Sequence, residues 1–353
     1  MVTTGNSMES TEKLLSILLI EKQLSADMRL RVEAHALVMI QNLATDAGNF
    51  LHQALDADQH TEDEVKTLIN VLPSALSQLR DYEIEDDGNV EPIDREEWLP
   101  IQGAAWQLDG RNSMAFIALL AEEGEKFGVG GEGQRGGLLL KDYPNGGNVL
   151  QNLAKAFSID NATSLDALKR LRQNDLLTKE DIRQYNLLWW SCKPKAKETF
   201  EYLVDWDPEA LKEYKFEGNR FLHAFIGGLW PIDSFAMVFK FGMKYYPEEL
   251  GFLFRKNSDG DTACKLVFDE YGKEKAWGVI EKCFDETRDV NKMIKMNPMT
   301  NLYPFILAAG DKTGDVNTLY YLLRRNPEVL FHGGQAGSLD SGDVGRTKRR
   351  RVS

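Results

Sequence analysis

Apolar residues recur along most of this chain at intervals of three and four, the period of a helix that packs on one side. Near the start, Leu14, Leu15, Leu18 and Leu19 form one stripe, and between Arg29 and Leu43 the residues Val32, Ala36, Met39 and Ile40 share another. The stretch Thr61–Leu79 opens with Thr61-Glu62-Asp63-Glu64. That spacing lets a threonine hydroxyl and a glutamate satisfy each other's free backbone amides, a capping box. Val65, Leu68, Ile69 and Leu72 then fall on one face, and Pro73 ends or kinks the helix because it lacks the N–H the next turn needs. Residues 10–80 are therefore expected to be a helical N-terminal region, preceded by a polar, disordered tail at 1–9. Residues 81–97 hold nine acidic side chains against one basic, together with Gly88 and Pro92, and read as an acidic linker over 81–96.

From residue 97 the chain resembles itself. Asp207-Pro208-Glu209-Ala210-Leu211, Tyr246-Pro247-Glu248-Glu249-Leu250 and Asn326-Pro327-Glu328-Val329-Leu330 place their prolines 39 and then 80 residues apart. The pairs Leu203-Val204, Gly242-Met243 and Leu322-Leu323 precede these prolines at a fixed distance, so each copy reads as an amphipathic helix that stops at Pro208, Pro247 or Pro327. A second motif leads each period. Gly218-Asn219-Arg220-Phe221-Leu222-His223 is followed 42 residues on by Gly260-Asp261-Thr262-Ala263-Cys264-Lys265. Asn301–Ala309, with Pro304, and Leu99–Ala105, with Pro100, are further copies, and fainter ones begin at Gly146 and Tyr185.

This second motif resembles the ankyrin signature, a turn followed by Thr-Pro-Leu-His-x-Ala-Ala at the head of a first helix. Tyr303–Ala309 and Leu99–Ala105 carry the resemblance, and Gly218, Leu222 and His223 match its Gly-x-x-x-Leu-His frame. Gly218 and Gly260 suit a left-handed turn, and Pro100 and Pro304 suit a first helical position. The likeness covers roughly residues 97–330 as about six units and is nearest to the divergent ankyrin-like proteins of unicellular algae. It implies an all-α solenoid of degenerate ankyrin-like helix pairs. It also implies that His223 bonds a turn backbone. The period near 40 exceeds the usual 33, so longer helices and irregular or absent hairpin fingers are expected. The longer period also suits a solenoid of the HEAT or armadillo type.

Composition narrows the function. The formal net charge is -13, and residues 331–353 are an exception at +3 that leaves -16 for the rest. An acidic body disfavours general nucleic-acid binding. Three cysteines without a CxxC spacing argue against a disulfide framework or zinc knuckle. Met1–Ser10 lacks a basic region and Leu14–Ile20 is too short to span a bilayer, so a cytoplasmic or nuclear location is expected.

Motifs for chemistry are few. Gly128-Val129-Gly130-Gly131-Glu132-Gly133 satisfies GxGxxG, but a charged helix is expected before it where a dinucleotide fold needs a strand. The nine glycines from Gly124 to Gly147 read instead as a flexible inserted loop. Around Asp259-Gly260-Asp261 the EF-hand register would put Arg255 at the first ligand position, which excludes calcium there; Thr262 follows as a repeat turn residue. His35, His52 and His60 share no helix face. The six tryptophans Trp106, Trp189, Trp190, Trp206, Trp230 and Trp277 fall in repeat helices or their junctions, as core or as anchors for a partner.

The expectation is thus a non-enzymatic protein-binding module or scaffold, with no catalytic residue, no metal and no cofactor. Its partner is an unidentified protein, and no membrane is involved. The 331–353 tail is expected to be disordered. Lys348, Arg349, Arg350 and Arg351 resemble a short nuclear import signal, and Ser353 a basophilic phosphorylation site, which together raise the alternative of a nuclear regulatory adaptor. An enzyme whose site is assembled across repeats is the third class.

Overall fold

A computed structural model describes residues 26–53, 55–83, 95–106, 112–130, 135–136, 138–143, 146–155, 161–213, 215–216, 219–226 and 230–286, with 306, 309, 310, 316, 320, 323 and 324. The described chain is mostly helical, with two short two-stranded hairpins. Contacts group it into two units, residues 1–191 with 198–203, and residues 192–197 with 204–353.

The first unit opens with α1 (Ala26–Gln53). Its buried face is made of Ala44, Ala47 and Leu51, packed on the 3-10 turn Pro73–Ser77. The approach is close: a Cβ on Gly48 would come within 2.6 Å of the Gln78 Cβ. Of the stripe read between Arg29 and Leu43, Ile40 is 44% exposed and Met39 is half-buried. The packed face lies further along the helix, where two of the three buried residues named are alanines. Helix α2 (Glu62–Val71) has the expected capping box: Thr61 Oγ1 accepts from Glu64 N at 3.3 Å and Glu64 Oε2 from Thr61 N at 2.9 Å. The helix stops before Pro73, which opens the next turn.

Strands β1 (Arg80–Glu83) and β2 (Arg95–Trp98) pair antiparallel, Arg80 opposite Trp98. They lie at the two ends of the acidic stretch, so the ends of the segment read as a linker are a hairpin. Trp98 is fully buried and anchors it, beside Tyr143 at 5.3 Å between rings.

Two helix pairs follow, α3 (Pro100–Trp106) with α4 (Ile117–Lys126), and α5 (Val149–Lys155) with α6 (Asn161–Gln173). Next come α7 (Lys179–Gln184), α8 (Leu187–Ser191) and α9 (Lys197–Trp206), of which only residues 198–203 belong to this unit. Helix α5 packs on α3 and on α8, and α4 packs on α6. Pro100 sits buried at the head of α3, where its missing N–H costs nothing, and Ala104 and Ala105 are each 2% exposed. Arg170 grips Glu122 with two N–H···O bonds of 2.7 and 3.0 Å, tying α6 to α4.

The second unit carries α10 (Ala210–Glu213) and the hairpin β3 (Lys215–Phe216) with β4 (Asn219–Arg220). A 3-10 turn, His223–Phe225, leads to α11 (Ile232–Tyr245), followed by α12 (Ala263–Tyr271) and α13 (Lys273–Glu286). Phe239 stacks on Phe235 at 5.7 Å and meets Phe284 edge-on at 5.8 Å, joining α11 to α13.

First helices were expected to start near Leu99, Gly147, Tyr185, Phe221 and Thr262. Helical segments start at Pro100, Val149, Leu187, His223 and Ala263. The start expected at Pro304 lies outside the described residues. Four of these segments are short, at 7, 7, 5 and 3 residues for α3, α5, α8 and the turn at His223, whereas α11 and α13 have 14 each. Hairpin geometry is present before His223 and, as the Lys256–Thr262 bridge, before α12. No described helix is long and apolar enough to cross a membrane.

Candidate functional site

One kind of link recurs at the start of three helical segments. Gln102 Oε1 accepts from Leu99 N at 2.9 Å, and its Nε2 donates to the carbonyls of Lys141 at 3.2 Å and Asp142 at 3.1 Å. Gln151 does the same: Oε1 accepts from Asn148 N at 2.9 Å, and Nε2 donates to Tyr185 O at 3.0 Å. His223, 3% exposed, reaches Asp261 O from Nε2 at 3.2 Å; a carbonyl only accepts, so Nε2 carries the proton. Gln102 and Gln151 each tie the head of their own helix to the turn before a later one, and His223, in the 3-10 turn His223–Phe225, makes the second of these links. The histidine was legible from its motif; the two glutamines at the same station were not singled out.

A second arrangement explains the proline motifs. Helices α9 and α11 end just before Pro208 and Pro247. Leu203, Val204 and Met243 are buried, while Leu323 is half-buried and Leu322 and Pro327 lie outside the described residues. The phenol of Tyr246 donates to Glu209 Oε1 at 3.0 Å, so the glutamate after one proline receives the residue before the next. Asp205 Oδ1 likewise accepts from Lys244 Nζ at 2.7 Å and Tyr245 OH at 2.6 Å. Lys212 lies 3.9 Å over the Tyr246 ring, that ring is 4.9 Å from Phe252, and Arg255 covers Phe252 at 4.4 Å. Burial first, then Glu209, pushes the Tyr246 phenol far above its ordinary range. Leu250, Gly251 and Phe252 are all left-handed, at φ 48°, 57° and 73°.

The other motif residues divide simply. Leu222 is buried, Gly260 makes the left-handed turn at φ 83°, and Thr262 caps α12, its Oγ1 accepting from Lys265 N at 3.3 Å. Gly218, Pro304, Lys348, Arg349, Arg350, Arg351 and Ser353 lie outside the described residues.

For chemistry the arrangement offers little. Cys192, Cys264 and Cys283 are buried and in no disulfide, and burial pushes Cys283 up to about 11, away from a reactive thiolate. Among the described residues no group of three or more His, Cys, Asp or Glu is placed to hold a metal. His35, His52 and His60 stay apart: His52 Nε2 donates to Gln78 O at 2.9 Å, while His60 packs edge-on against Phe50. The turn at Asp259-Gly260-Asp261 closes on Asn257, whose Oδ1 accepts from Asp259 N at 3.1 Å and Asp261 N at 2.9 Å.

Helix α4, not a strand, precedes the GxGxxG segment. The glycine-rich insert makes several contacts at its described positions. Leu139 is fully buried, the Tyr143 phenol donates to Gln102 O at 3.0 Å, Arg135 pairs with Asp181, and Gly136 N donates to Glu125 at 2.6 Å. A few anchors hold a glycine-rich path that composition alone makes look loose.

Two surface properties remain. Of the seven tryptophans only Trp98 is buried; the other six named above are half-buried, and Lys155 lies 4.1 Å over the Trp190 ring. The acidity is also local. Residues 1–97 hold 20 acidic and 7 basic side chains, the whole formal excess, and residues 98–353 balance at 35 of each. Repulsion of phosphates therefore belongs to the N-terminal region.

Compared with family models, curated proteins and solved structures, the chain finds no match in any of the three.

Proposed function

We propose that this chain is a non-enzymatic binding protein, a stack of degenerate ankyrin-like helix pairs whose work is to hold another protein. The half-buried tryptophans carry the reading. An aromatic ring that a fold leaves partly in water is the side chain that protein interfaces favour as an anchor. Trp189 and Trp190 on the five-residue helix α8, with Lys155 laid over one ring, are the best formed of these. Support for the repeat architecture comes from the stations of Gln102, Gln151 and His223, whose links span 34 to 40 residues. A balanced charge after residue 97 suits a protein surface better than a phosphate backbone. The test is capture of partners from the source cell by the whole chain, set against a Trp189→Ala/Trp190→Ala variant of unchanged circular dichroism. The reading requires at least one protein held by the first and lost by the second.

A second reading, a nuclear adaptor imported through Lys348–Arg351, is favoured by the +3 tail on an otherwise acidic chain.

A further inference from the structure

Helix α1 carries an apolar stripe that runs on past its packing. Ala44, Ala47 and Leu51 are buried against the 3-10 turn Pro73–Ser77. Counting back along the same helix, Ile40 stands four residues before Ala44, and Leu37 three before Ile40. Alternating steps of three and four keep all five residues on one face. Yet Ile40 is 44% and Leu37 66% exposed. One side of the helix is thus covered toward its end and bare toward its start. A single exposed leucine is ordinary, but two large apolar residues that continue a buried stripe mark a packing surface.

The chain carries a second apolar stripe directly upstream. Residues 1–25 lie outside the described residues and lead straight into α1 at Ala26. Within them Leu14, Leu15, Leu18 and Leu19 recur at helical spacing. A helix so short is marginal in water and needs an apolar surface to lie on. Ser25, directly before Ala26, is a residue favoured just outside a helix start, so the sequence marks a break there. Short connections make antiparallel helix neighbours. At the usual separation of about 9 Å, with Leu14 level with Ile40, Ile20 would lie about 15 Å from Ala26. The stretch 21–25 reaches about 17 Å when extended, so it closes that gap.

We propose that the stripe Leu14, Leu15, Leu18 and Leu19 docks on Leu37 and Ile40 of the same chain, closing an antiparallel helix pair. A second copy of the chain offers an apolar surface too, but the tether favours the chain's own segment. A segment on so short a link acts at an effective concentration of roughly millimolar, whereas a second copy acts only at its own concentration. The docking does not depend on the binding role proposed above for Trp189 and Trp190.

The test places one cysteine on each side of the full chain, Leu14→Cys with Ile40→Cys, and bridges them with a short bismaleimide in dilute solution. The native Cys192, Cys264 and Cys283 are buried. A bridge within one chain is expected, read by mass spectrometry of the joined peptides. Bridges only between chains, with a dimer by light scattering, would give the face to a second copy and overturn the proposal, as would the absence of any bridge. A second variant reads the docking without cysteines. In Leu14→Glu/Leu18→Glu, amides 34–41 should exchange hydrogen about tenfold faster, while those of α2 keep their rate. Unchanged exchange at 34–41 in that variant would also overturn it.

Discussion

Gln102 and Asp142 are joined across 40 residues of chain by a side-chain amide donating to a backbone carbonyl at 3.1 Å. The same glutamine accepts from Leu99 N, so one side chain settles both a helix head and the turn of the next pair. Gln102→Ala leaves the Leu99 amide and the Lys141 and Asp142 carbonyls short of a partner in a buried place. The expected loss is about 1–3 kcal/mol by urea unfolding, with faster hydrogen exchange at Leu99. A change under about 0.5 kcal/mol, the scatter of neutral surface substitutions, would remove the station's structural role.

Gly242 and Gly278 give opposite expectations for one substitution. A Cβ at Gly242 would lie 2.8 Å from Gly251 O and 3.0 Å from its Cα, both backbone and unable to yield cheaply. At Gly278, on α13, a Cβ meets nothing within 4 Å. Gly242→Ala should destabilise by about 1–3 kcal/mol, and Gly278→Ala should stabilise by about 0.5–1 kcal/mol. Thermal unfolding of the two variants side by side checks the sign of each.

His52 sets a pH dependence. Burial, the largest cause, holds its folded pKa at about 4 against an ordinary 6.5, despite the bond to Gln78 O. The unfolded chain therefore takes up the proton first. The contribution is fully present above pH 6.5 and is lost as pH falls toward 4, by at most roughly 3 kcal/mol. His52→Gln removes the titration while keeping a donor. Unfolding measured at several pH values across this window should show a flatter slope in the variant than in the parent chain.

Much of the helical order was legible because prolines, capping residues and apolar spacing act locally. Thr61 with Glu64, the stop before Pro73, and helix heads at Pro100, Val149 and Ala263 all follow from such signals. What escaped was set by distant partners. Ala44 and Ala47 outrank Ile40 on α1 because the 3-10 turn beyond α2 comes so close there. Charged residues hold strand geometry at Asp81–Glu83 because β2, anchored by Trp98, lies opposite. The insert is held by Leu139 and Tyr143, two residues that its glycines obscure. Of the candidate site, His223 was visible through a motif, while Gln102 and Gln151 gained meaning only with the carbonyls they reach.

The basic tail carries its own test. A fluorescent fusion of the whole chain should concentrate in the nucleus, and truncation after Val344, which removes Lys348–Arg351, should abolish that. Equal distribution of both forms would leave the tail an ordinary solvated end.

The binding role is tested most directly by quantitative mass spectrometry of proteins retained from source-cell lysate by the intact chain, by the folded Trp189→Ala/Trp190→Ala variant and by bare resin. The account predicts at least one protein enriched on the intact chain over resin and reduced at least tenfold on the variant, a loss of about 1.4 kcal/mol or more expected for a central aromatic anchor. Equal retention by the intact chain and the variant, or nothing held above bare resin, would contradict it.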